Sequence, residues 1–151
     1  MAALLRSGWG IIQDRETLRR PRDLVAPDGS RPAQMAIDTV TYTAAGRVFR
    51  HHDVEIESMA PHDLAALELA CRELLRAFGP ELEPWPHSKL ATGLAIQELA
   101  ARGELAARGE PSARGALAAR GELAALVDAA GELTPHGHAT IRAHLGSRRW
   151  S

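Results

Sequence analysis

Two hydrophobic patterns divide the chain. From Gln34 to Thr43 apolar and polar residues alternate, and β-branched side chains are frequent (Ile37, Thr39, Val40, Thr41, Thr43), which predicts a strand. Ala44-Ala-Gly-Arg47 reads as a hairpin connection. Val48–Glu57 reads as the returning strand, with Val48, Val54 and Ile56 on one face and Glu55 and Glu57 on the other. Upstream, Ser7–Gln13 predicts a short strand, Arg15–Arg22 a basic loop or frayed helix ending at Pro21, or alternatively a phosphate- or partner-binding arm, and Pro27-Asp-Gly-Ser30 a turn. The period then changes. Between Pro61 and Phe78, Leu64, Leu67, Cys71, Leu74, Leu75 and Phe78 recur at helical spacing and paint one apolar face. On that pattern Cys71 is a buried core residue. Gly79-Pro80 stops the helix, and Glu81–His87 is a stiff linker.

A third pattern fills Glu98–Leu126, where one hexapeptide nearly repeats five times: Glu98-Leu-Ala-Ala-Arg-Gly103, its identical copy Glu104–Gly109, then three degenerate copies. Six residues advance a helix by about 240°, so the repeated leucines form no single stripe. A continuous helix would also hold four glycines at about 1 kcal/mol each and Pro111 at about 3 kcal/mol. A parallel β-helix would satisfy the even period, but Ala, Glu, Arg and Gly are weak strand formers. The pattern therefore predicts a broken helix: Ser88 to Arg108, a turn capped by Gly109, and a second helix from Pro111 to Gly121. Beyond it, Ala124–Asp128 and Glu132–Thr134 read as short strands around the turn Ala129-Ala-Gly131. Thr134-Pro135 opens a last helix with Ile141 and Leu145 inward and an end at Gly146.

Composition alters this picture little. Net charge is −1, with seventeen Arg and one Lys. Residues 1–87 carry ten basic and thirteen acidic groups (net −3), and 88–151 carry eight and six (net +2). There is no basic field over the whole chain to draw in nucleic acid. Cys71 is the sole cysteine, which excludes an internal disulfide and fits a reducing compartment. No apolar run reaches membrane-spanning length, and the start is too short for a signal peptide, so no membrane is expected as partner and the expected location is cytoplasmic.

The phrases Ala116-Leu-Ala-Ala-Arg-Gly-Glu-Leu123, Leu126-Val-Asp128, Ala130-Gly131 and Glu132-Leu-Thr-Pro-His-Gly137 together resemble the end of a winged-helix domain of the MarR and PadR transcription regulators. In that family a recognition helix is followed by a β-wing, and a Leu-Thr-Pro-x-Gly phrase opens the next helix. The resemblance covers about residues 88–145. It implies that Pro111–Gly121 is the recognition helix, with Ser112, Arg114 and Arg120 exposed and Arg108 in the preceding turn as DNA-binding residues. Arginine suits guanine edges and phosphates. Two departures stand beside it: the recognition segment is mostly Ala and Gly, and the turn of the wing carries no Arg or Lys.

Catalytic signatures are absent. His51-His52-Asp53 lies on a strand whose neighbours point to opposite faces, and His136, His138 and His144 are not spaced to stand side by side on a helix. No Cys pair, phosphate-cradling loop or nucleophile elbow appears, so no catalytic residue, metal or cofactor is assigned. The expected class is α+β: an N-terminal antiparallel β-meander packed on a helix (1–83), a winged-helix-like helical module (88–146) and a basic tail (147–151). The expected function is non-enzymatic, a regulator contacting double-stranded DNA, with a protein partner or homodimer formed through the N-terminal part. The alternative is a structural or assembly subunit, phage-like or complex-bound, that acts through protein–protein contacts.

Overall fold

Ala45 and Gly46 both take left-handed backbone, with φ of 50° and 72°. Two such residues make the tight turn whose twist matches antiparallel strands, and this fixes the register of the hairpin. In the computed structural model, which describes residues 6–7, 10–59, 64–79, 81–105, 127–128 and 130–147, the turn joins β2 (Ala33–Ala44) to β3 (Arg47–Ser58), and β1 (Asp14–Leu24) completes a three-stranded antiparallel sheet in the order β1-β2-β3. A two-residue turn makes even positions of β2 share a face with odd positions of β3. Tyr42 and Phe49 are accordingly both buried, while Val48 and Val54 stay exposed, so the inward face of β3 is the opposite of the one its valines suggest.

The strand expected at Ser7–Gln13 is displaced. Gly10–Gln13 is irregular, and the basic run Arg15–Arg22 is extended as part of β1. Pro27-Asp-Gly-Ser30 turns as expected, with Gly29 donating to the Ala26 carbonyl at 2.9 Å. Asp28 Oδ1 accepts from both the amide and hydroxyl of Ser30, and those two bonds hold its carboxyl below the ordinary range.

Among the described residues three helices follow the sheet: α1 (Leu64–Phe78), α2 (Lys89–Ala101) and α3 (Pro135–Gly146). Ser88 and Thr134 cap α2 and α3 through their hydroxyls, which accept from Ala91 and Gly137. Helix α2 stops one repeat earlier than expected. Gly103 takes φ 68°, its amide donates to Ala100, and the Glu104 amide donates to Leu99 at 2.8 Å. This paired pattern is a Schellman stop, and it closes the helix at the first glycine that offers left-handed backbone, well before Arg108. The second helix expected at Pro111–Gly121 lies outside the described residues. Val127 and Leu133 form one antiparallel bridge. Next to it, Arg50 of β3 donates to Gly131 at 2.7 Å and accepts from Leu133 at 3.0 Å.

The chain divides into two compact units. The first comprises Met1–Glu16, Thr41–His51 and His87–Ser151. Its core is Tyr42, Phe49, Ala95, Ile96, Leu99, Leu105, Val127, Leu133, Ile141 and Leu145, with α2 and α3 packed on each other. The second comprises Thr17–Val40 and His52–Pro86, and among its described residues the buried apolar side chains are Ala33, Ala36 and Val40.

Within the first unit, Gly93 admits no side chain. A Cβ there would lie 2.0 Å from Gln13 Nε2, the end of a flexible side chain, and 2.6 Å from Tyr42 Cε1, and Tyr42 is held by its hydroxyl, which donates to the Lys89 carbonyl at 3.0 Å. Replacing glycine by alanine inside a helix ordinarily gains about 1 kcal/mol. Here Gly93→Ala is expected to lower stability by about 1–3 kcal/mol in denaturant unfolding, because a buried ring must move. An unchanged or raised midpoint would show that the ring has room to yield.

Candidate functional site

The residues expected to contact DNA, Arg108, Ser112, Arg114 and Arg120, all lie outside the described residues, and the side-chain clusters of the described part lie elsewhere in the chain. The first repeat is one of them, and its work is structural. Its Leu99 is fully buried, as is Leu105 of the second copy, whose carbonyl accepts from Arg47 at 2.7 Å. His144 of α3 lies with Nε2 2.9 Å from Glu98 and Nδ1 3.2 Å from the Arg102 guanidinium. Glu98, Leu99, Arg102 and Gly103 of one hexapeptide thus bind α3, fill the core and stop the helix.

The two histidine clusters, each insufficient alone, are brought together by the fold. His51 Nδ1 and His138 Nε2 are 2.8 Å apart, with the rings tilted by 52°. His138 Nδ1 is 3.1 Å from the Thr134 carbonyl, so it donates there and its Nε2 accepts from His51. Among the described residues no third His, Cys, Asp or Glu joins them in a group able to hold a metal. The pair links α3 to β3.

The second unit is organised around Arg19. Asp38 is fully buried on β2 and is gripped by Arg19 through Nε at 3.0 Å and Nη2 at 2.8 Å, a fork that matches the carboxylate plane. The same guanidinium reaches Glu55 and, at 3.3 Å, Glu57. Hydrogen bonding to Asp38 holds the Arg19 pKa above its already high ordinary value, with burial acting the other way. Sequence reading placed Arg19 in a basic patch read as a loop, frayed helix or binding arm, and no neighbour along the chain marks it as the partner of Asp38.

Several large apolar side chains of this unit are exposed, Leu18, Leu64, Leu69 and Phe78 among them. Helix α1 has no buried residue, although its apolar face is well formed. Leu64 is 62% exposed and Phe78 53%, and Cys71 is exposed rather than in the core its position suggested. Leu24, Met35, Ala70, Leu74, Ala77 and Phe78, with Glu73 and Arg76, line a shallow groove of about 380 Å³. Strand β1 is exposed from Asp14 to Asp23.

No protein-family model, no characterised protein and no solved structure matches this chain.

Removing the cation from a buried carboxylate typically costs 3–5 kcal/mol. Arg19 is 41% exposed, so solvent screens part of this, and Arg19→Met is expected to cost about 2 kcal/mol in urea unfolding. Arg19→Lys should fall between, since it keeps the charge and loses the fork. A cost shared equally by both variants would show that geometry contributes nothing.

Proposed function

We propose that this protein is a non-enzymatic assembly or regulatory subunit that works by protein–protein contact. The observation that carries the reading is the exposed apolar face of α1, in a unit whose buried apolar side chains among the described residues are Ala33, Ala36 and Val40. A helix gains most of its stability in a protein by burying such a face. Large exposed apolar patches on soluble chains mark interaction surfaces. The groove beside Leu74 and Phe78 has the composition of such a surface, apolar with the charged pair Glu73–Arg76 at 2.9 Å.

A second reading, DNA binding by a winged-helix-like module, is favoured by one feature. The bridge between Val127 and Leu133 precedes α3, and its residues share a core with α2. The turn of this hairpin carries Ala130 and Gly131, and Arg50 donates to the Ala130 carbonyl, so its cation is engaged at the hairpin. That geometry favours the first reading.

Two experiments separate them. Purified from its own cells, the wild-type chain is expected in a complex of fixed stoichiometry that Leu74→Asp/Phe78→Asp abolishes with the circular dichroism unchanged. A wild-type chain that runs alone, with the variant behaving identically, would overturn the assembly reading. Anisotropy titration of duplex DNA, at low and moderate salt, is expected to show no binding. Salt-sensitive binding lost in Arg114→Glu/Arg120→Glu would establish the DNA reading instead.

A further inference from the structure

Strand β1 ends the sheet, with β2 on one side and, among the described residues, no strand on the other. Its backbone edge is therefore a template for another strand. Alternate residues of a strand share a face. Arg19 lies on the face of Asp38, so Asp14, Glu16, Leu18, Arg20 and Arg22 share the opposite one, and all five are exposed. Read along the strand, that row is negative, negative, apolar, positive, positive. Among the described residues none of its four charged groups has an ion-pair partner within the chain.

We propose that β1 is a self-association edge, pairing antiparallel with β1 of a second copy about a two-fold axis at Leu18. In that register Asp14 faces Arg22 of the other copy, Glu16 faces Arg20, and Leu18 meets its own equivalent. Directly opposed side chains of unlike charge stabilise such a pair, and like charges oppose it. A register shifted by two positions either way sets Leu18 against a charged residue and breaks two of the four ion pairs. Charges and proline are common means of keeping an edge strand alone, but here the order of signs makes the row attract a copy of itself. Arg19 does not interfere, because Asp38, Glu55 and Glu57 hold it on the other face. Pro21 lacks an amide hydrogen and sits opposite Arg15, near the end of the paired run, leaving the central Thr17 and Arg19 amides intact. The two-fold contact is isologous, joining two three-stranded sheets along one edge.

The inference rests on the assembly reading above and names one partner for it, the second copy. Sedimentation velocity of the full chain from low micromolar to submillimolar concentration is expected to show a monomer–dimer equilibrium. Asp14→Arg/Glu16→Arg makes the row wholly positive, and Arg20→Glu/Arg22→Glu makes it wholly negative. Each alone should weaken the dimer by at least about tenfold. Mixed, the two should form a heterodimer, and the chain carrying all four changes should dimerise again. In a Cys71→Ser background, Leu18→Cys should oxidise to a disulfide-linked dimer, while Leu24→Cys should not. A monomeric wild type, or swapped chains that dimerise alone as well as mixed, would overturn the proposal. The α1 variants read the assembly reading independently: loss of a partner there with a monomeric wild type removes only the β1 edge.

Discussion

The contact between Gly93 and Tyr42 organises the larger unit. Because α2 carries hydrogen in place of a side chain at that point, its backbone settles onto the ring of Tyr42, and the phenol reaches the carbonyl of Lys89. Ala95, Ile96 and Leu99 are then fully buried. Packing α3 on α2 brings Ile141 and Leu145 into the same core, and Glu98 and Arg102 hold His144 beside it. The stop at Gly103 belongs to this arrangement, since it turns the chain so that Leu105 is buried rather than carried outward on a longer helix. Interiors packed at this density resist even one added methyl group.

The other unit follows a different principle. Where a small domain would place another aliphatic side chain, β2 places Asp38, and a forked arginine with two further carboxylates holds it. Such a pair adds less stability than well-packed hydrocarbon of similar volume, but it is strongly directional. It sets which face of β1 carries Arg19 and therefore which residues form the opposite row. With Ala33, Ala36 and Val40 as its buried apolar residues among those described, this unit has little hydrophobic stabilisation of its own. An apolar helix face and an uncovered strand edge on such a unit are surfaces whose burial would supply what the interior lacks.

Much of the chain was legible wherever local chemistry suffices. The turn Ala44-Ala-Gly-Arg47, the strands on either side of it, the Pro27–Ser30 turn and the Thr134-Pro135 helix start all appear where backbone preferences place them. So does the apolar periodicity of α1, because a 3.6-residue repeat is a property of consecutive residues. The winged-helix resemblance rests on residues of which many lie outside the described part, and it enters the function only as the second reading.

What the sequence by itself determined about this protein is its α+β class and the hairpin, turn and helix starts whose signals are local, since each depends on neighbours along the chain. Tertiary structure alone decided which faces are covered and which distant groups meet. Val48 and Val54 are as apolar as Phe49, yet the two-residue turn sets the phase of β3 and puts Phe49 inside. Cys71 sits on an apolar stripe and is still exposed, because periodicity describes a face and says nothing of what lies against it. Arg19 with Asp38, and His51 with His138, are separated by 19 and 87 residues, and only the sheet and the packing of α3 bring them within hydrogen-bond distance.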